Sequence, residues 1–193
     1  MNRPILALAL AVAAAAAHAV PSTYLIDGSH TYPHFSYSHL GYSTQTHKFD
    51  KTRGTVVMDF DARTGSVDVT IDATSVNTGF ALFDRLIQGK DYFDTARYPT
   101  IRFTASRMEF EGYKPVRVSG ELTIKGVTRP LTLEITHFRC MPHPLLAAPA
   151  CGGNATTQLR RSDFGMGKGA PFVGDEVTLT LAVEAVMEQP DVE

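Results

Sequence analysis

Along most of the chain, apolar and polar positions alternate with a period of two. That is the pattern of strands with one face turned to an interior and the other to water. The clearest runs cover residues 116–124, 131–135, 177–183 and 67–73. Shorter runs at residues 24–26, 35–39, 56–60, 101–105 and 156–160 follow the same rule. Gly54, Gly65, Gly126, Pro130 and Gly174 mark turns between them. One segment departs from this pattern. Between Asn77 and Phe93, the residues Leu82, Phe83, Leu86 and Ile87 recur at helical spacing, and Asn77 or Thr78 is placed to cap the start. The pattern predicts an all-β fold with a short helical insert over about residues 78–96. Eight or more strands, each with one apolar face, need a shared interior, which a barrel or a two-sheet sandwich supplies. An insert between two strand regions then sits at a barrel mouth. With no internal repeat and no linker, residues 20–193 read as one domain.

The first nineteen residues stand outside this pattern. Arg3 supplies a short basic stretch, residues 5–17 form an apolar run, and Ala17-His18-Ala19 fits the small-residue cleavage rule. The run is too short to span a bilayer core, and no Cys follows to carry a lipid anchor. Residues 1–19 are therefore expected to be a cleaved signal peptide, which places the protein in the periplasm. That compartment is oxidising, so Cys140 and Cys151 are expected to form a disulfide closing a short loop, with two unpaired thiols as the alternative. Their spacing is wrong for a C-x-x-C redox centre.

Composition adds mainly exclusions. The 193 residues are 44% apolar and 20% charged, with a formal net charge of -2. Such a chain is not disordered and has no basic field to hold nucleic acid. Two cysteines cannot alone build a four-ligand zinc site. No nucleophile elbow or zinc-binding H-E-x-x-H helix occurs. Asp163-Phe164-Gly165 lacks every other kinase element, and the glycine-rich residues 165–169 lack P-loop spacing. Four histidines, His30, His34, His39 and His47, fall close together. On an extended chain they divide between two faces, so they read as rim or turn residues and no metal site is assigned.

The strand faces supply an apolar interior: Phe35, Tyr37, Met58, Phe60, Val69, Ile71, Ile101, Phe103, Val118, Leu122, Leu133, Ile135, Leu179 and Leu181. The insert adds Phe80, Leu82, Phe83, Leu86 and Phe93. An eight-stranded barrel is just wide enough to be filled by such side chains or to hold one small ligand. The pattern alone leaves both open.

The order of several fragments resembles the bacterial YceI-like family of polyisoprenoid-binding proteins. These are residues 24–27, His30-Thr31, Phe35, residues 39–41, Phe49-Asp50, residues 91–94, Tyr98-Pro99, residues 120–130 and residues 161–165. Residues 138–144 with Cys151-Gly152 resemble a subgroup carrying a paired-cysteine loop. His47 is a local departure from the family's pattern. The resemblance implies a lipocalin-like antiparallel eight-stranded barrel around an apolar tunnel, lined by the nineteen residues named above. It implies a long isoprenoid chain, free or as a quinone tail, as ligand, with no other cofactor, no catalytic residues and no stable membrane insertion. It leaves a homodimer open. Asp27, Arg161 and Asp163 are expected to make rim hydrogen bonds or ion pairs. An enzyme or redox accessory acting on a bound quinone through rim histidines or a metal is the alternative function.

Overall fold

The computed structural model describes residues 20–189, so the expected signal peptide lies outside the described residues. In chain order the strands are β1 (Ser22–Ile26), β2 (His34–His39), β3 (Ser43–Phe49), β4 (Thr52–Asp59), β5 (Thr64–Asp72) and β6 (Val76–Asn77). They are followed by helix α1 (Ala81–Ile87) and by β7 (Thr100–Glu111), β8 (Lys114–Ile124), β9 (Val127–Pro142), β10 (Pro149–Arg160) and β11 (Glu176–Met187). Eight of them, in the order β1-β4-β5-β7-β8-β9-β10-β11, form an antiparallel sheet that closes through β1 and β11.

β11 changes partner along its length. Its residues Ala185–Met187 pair with β1, whereas Thr178–Thr180 pair with β2. The β2–β3 hairpin is thereby inserted at one end of the barrel, and β6 adds to its outer edge. That end is wide and carries α1. The β4–β5, β7–β8 and β9–β10 turns lie at the other end, which the packed rings of Phe60, Phe110 and Phe138 narrow.

The hairpin joining β8 and β9 shows how local chemistry sets the closure. Lys125 and Gly126 both have positive φ, 52° and 73°, as a two-residue type I′ turn requires. A Cβ on Gly126 would lie 2.6 Å from the Tyr98 ring, so only glycine fits. Gly120 is needed for a different reason. Its missing Cβ lets β7 pass with Thr104 O only 2.2 Å from where that atom would stand.

Within the insert over residues 78–96 the helical part is α1, seven residues long, and the chain to Tyr98 continues in turns. Its N-cap is Phe80, not Asn77 or Thr78, and it makes no side-chain cap bond. Instead the Asp84 carboxylate reaches back and accepts from Thr78 N and Oγ1, both at 2.7 Å. β3 lies outside the period-two runs of the sequence. Its sequence Ser-Thr-Gln-Thr-His-Lys-Phe is polar on both faces over its first four residues, so it lacks the alternation that marks its neighbours.

Cys140 and Cys151 are bonded, and they face each other in register across β9 and β10. The bridge closes a loop of eleven residues of sequence separation, worth about 3 kcal/mol in the chain-entropy model. Replacing both cysteines by Ala is therefore expected to lower unfolding free energy by about 2–3 kcal/mol, measured by urea denaturation. An unchanged midpoint would show that the hairpin is held by its ladder alone.

Candidate functional site

The barrel encloses a cavity of about 460 Å³. Its wall is built from the inward faces of the strands and, at the wide end, from Phe83, Leu86 and Ile87 of α1. Sixteen of the nineteen residues picked from the sequence lie on this wall. Phe35, Val69, Ile71, Leu179 and Leu181 point inward yet remain only half-buried. Inward apolar residues of a filled barrel would be packed on all sides. Here they border open space.

Phe60, Phe80 and Leu82 are not on the wall. Phe60 packs at 6.4 Å between ring centroids against both Phe110 and Phe138. This aromatic trio stops the narrow end, with Phe138 alone facing the cavity. Phe80 and Leu82 are 61% and 59% exposed, because α1 turns only one side to the barrel. Leu86 lies between these cases. It lines the cavity and is 55% exposed, so it marks the opening.

Several wall residues lie in irregular segments where no period could signal them. Tyr92 follows α1, Arg161 begins a 3₁₀ turn, and Met166 and Val173 lie in the loop before β11. Arg161 is 7% exposed and organises that loop. Its Nε donates to Gly174 O at 2.8 Å, and its terminal nitrogens donate to Met166 O, to Lys168 O at 2.9 Å and to Val173 O at 2.7 Å. It makes hydrogen bonds, as expected of a rim residue, but pairs with no carboxylate among the described residues. Asp163 makes no hydrogen bond or ion pair among them. The neighbouring Asp175 holds the turn instead, accepting from Arg160 and Ser162.

The histidines do not converge. His30 lies beyond β1 with its Nδ1 2.6 Å from Asp27 Oδ2. Ser29 and His30 hydrogen-bond the Asp27 carboxyl and hold it at a pKa of about 2, and that carboxylate raises His30 in turn. Asp27, His30 and Glu184 place ligand-type atoms within 4.8 Å of one another, the one such group among the described residues. The Asp27 and His30 atoms already bind each other. His39 lies on the cavity wall. His47 is 6% exposed and packs against Phe35 and Phe83, both at 5.5 Å between ring centroids. Its Nε2 lies 3.1 Å from Tyr37 Oη, while its Nδ1 has no partner. Burial pushes the His47 pKa down and the Tyr37 pKa up.

A closed antiparallel barrel with an apolar interior and one covered, open end defines a lipocalin-like binding architecture. Comparison with known proteins then fixes the family. The sequence profile of the YceI-like domain matches residues 24–185, and the chain belongs to that family. It is 32% identical to protein YceI of Escherichia coli O17:K52:H18 over 193 residues, covering 98% of this chain and 100% of that one. A UPF0312 protein of Pseudomonas savastanoi is also 32% identical, with the same coverage. Among solved structures, Burkholderia cenocepacia BcnA superposes with a TM-score of 0.71 at 24% identity, over 83% of this chain and 99% of that one. A polyisoprenoid-binding domain from Saccharophagus degradans shares the fold, with a TM-score of 0.66 at 18% identity over 86% and 98% of the two chains.

Proposed function

We propose that this protein binds a long isoprenoid lipid in its barrel and carries it through the periplasm. The observation that supports this reading most is the apolar cavity itself, whose inward side chains are left half-buried. Each methylene moved from water into such a space contributes roughly 0.8 kcal/mol. A multi-unit isoprenoid therefore needs no polar contact for tight binding, and cavity length and shape select it. The solved polyisoprenoid-binding domain of the same fold is consistent with this ligand class. The disulfide fits an oxidising compartment, and no helix among the described residues is long and apolar enough to cross a membrane. On this reading the isoprenoid is a ligand, the protein needs no resident cofactor, and the barrel performs no catalysis. The dispersed histidines lend nothing to a redox role. Lipid extraction from the purified protein tests the proposal.

A further inference from the structure

Twelve large apolar side chains stand exposed among the described residues, and half of them gather around the opening of the cavity. On one side, Phe80, Leu82 and Leu86 are exposed along α1 and its N-cap, while Phe83 and Ile87 of the same helix form cavity wall. On the other side, Leu40 and Tyr42 form the tip of the β2–β3 hairpin. Phe172 lies against that tip, its carbonyl accepting from Leu40 N at 2.8 Å. Tyr42 is 87% exposed and Phe172 is 72% exposed. The hairpin and the Phe172 loop meet the cavity at His39 and Val173, which form a β-bridge and both line its wall. The apolar surface therefore continues from the interior over the rim to the outside.

The barrel itself does not need this surface, since polar side chains at exposed rim positions would leave its packing unchanged. Exposed apolar clusters of this kind mark a contact made with something else. The charges beside the rim say what that is. Arg85 and Lys90 lie on α1 and the turn after it, and Lys125 reaches the same turn, its Nζ donating to Lys90 O at 2.6 Å. None of the three pairs with a carboxylate among the described residues. Asp84 is engaged by Thr78 and Asp91 by Lys168, which leaves Asp94 and Asp163 of the adjoining turns to face them. The rim thus carries a cationic excess on a chain whose formal net charge is -2. Apolar side chains set among cations are the chemistry of a surface that rests in the headgroup region of an anionic bilayer. Met141, Leu145 and Leu146 form the other exposed apolar group, at the β9–β10 turn. The rings of Phe60, Phe110 and Phe138 close that end, so a contact there gives a ligand no path to the cavity.

We infer that the wide mouth docks reversibly on an anionic phospholipid bilayer, with α1 and the hairpin tip seated among the headgroups, and that the ligand passes between bilayer and barrel without crossing water. The inference rests on the isoprenoid reading for its cargo and adds the partner that loads it. The physical need is direct. Each methylene that must enter water on the way out of a bilayer slows escape about four-fold. A mouth pressed against the headgroups removes that barrier.

Flotation of the purified protein with vesicles of phosphatidylethanolamine and phosphatidylglycerol tests this, together with transfer of a fluorescent isoprenoid between two vesicle populations. The protein is expected to float with the vesicles. The transfer rate is expected to rise with acceptor-vesicle concentration, as a collision with the bilayer requires. Phe172→Asp and Leu82→Asp each lower vesicle binding about ten-fold. Neither side chain lines the cavity, so affinity for an isoprenoid supplied from detergent micelles stays unchanged. A thermal melt checks that both variants remain folded. Leu145→Asp, at the closed end, changes neither readout. Phosphatidylcholine vesicles bind more weakly than the anionic ones, and added salt removes the difference. Absence of flotation, with transfer independent of acceptor concentration and isoprenoid affinity intact, overturns the docking and leaves the isoprenoid reading standing. Loss of flotation in Leu145→Asp alone also overturns it. So does a dimer in light scattering that Phe172→Asp dissociates without any flotation, which would give the rim to a second copy of the chain. Flotation that depends on Phe172 in a protein that binds no isoprenoid would overturn the carrier reading and keep the docking face.

Discussion

Replacing Ala155 by Trp is expected to empty the barrel of lipid while leaving it folded. Ala155 lies on β10 between Ile135 of β9 and Leu181 of β11, all three on the cavity wall. The new ring projects into the 460 Å³ cavity, where it meets open space and not a packed core. It displaces at least one isoprene unit. About five buried carbons at ~0.8 kcal/mol each amount to about 4 kcal/mol, or about a thousand-fold in affinity. Gln158→Trp, on the exposed outer side of the same strand, is expected to change nothing. Titration with an isoprenoid, alongside a thermal melt, measures both. Unchanged binding by Ala155→Trp would place the ligand outside the barrel.

The second large effect concerns the wide end. Arg161→Met removes the donors for carbonyls of Met166, Lys168, Val173 and Gly174, which pin the loop between the 3₁₀ turn and β11. Hydrogen bonds to a charged donor are worth roughly 1.5–3 kcal/mol each, and water recovers part of the loss for a surface loop. A net destabilisation of about 3–4 kcal/mol is expected in urea unfolding. Arg161→Lys does not rescue it, because one ammonium cannot match a planar fork reaching four oxygens. Met166 and Val173 are cavity wall residues, so the loosened loop also opens the mouth, and limited proteolysis is expected to cut within residues 165–175. A variant as stable as the wild type would show that the loop is held by its own turns.

The barrel was legible because strands with one dry face alternate strictly, and a closed sheet is the economical way to shield eight of them. The same alternation exposed most of the cavity wall, since inward positions are inward whether the barrel is solid or hollow. It could not choose between those two, because a filling side chain and a lining one have the same chemistry. The alternation also failed wherever the chain leaves the ladder. Leu82 has helical spacing with Phe83 and Leu86, yet α1 is only two turns long and turns it to solvent. Phe60 lies in the turn just after β4 at the narrow rim, where it packs against Phe110 and Phe138 and not into the cavity. Arg161 gave no sign of its role, since its partners are backbone oxygens that carry no sequence signal. His47 was visible as a departure from the family's pattern, but its pairing with Tyr37 needed the β2–β3 ladder to bring them together.

Native mass spectrometry of the protein purified from its native cells tests the central claim most directly. The account predicts a one-to-one adduct whose mass corresponds to a polyisoprenoid or isoprenoid-tailed lipid, released on organic extraction and absent from Ala155→Trp. A protein that carries no lipid, and that takes up none when an isoprenoid is added back, would contradict it.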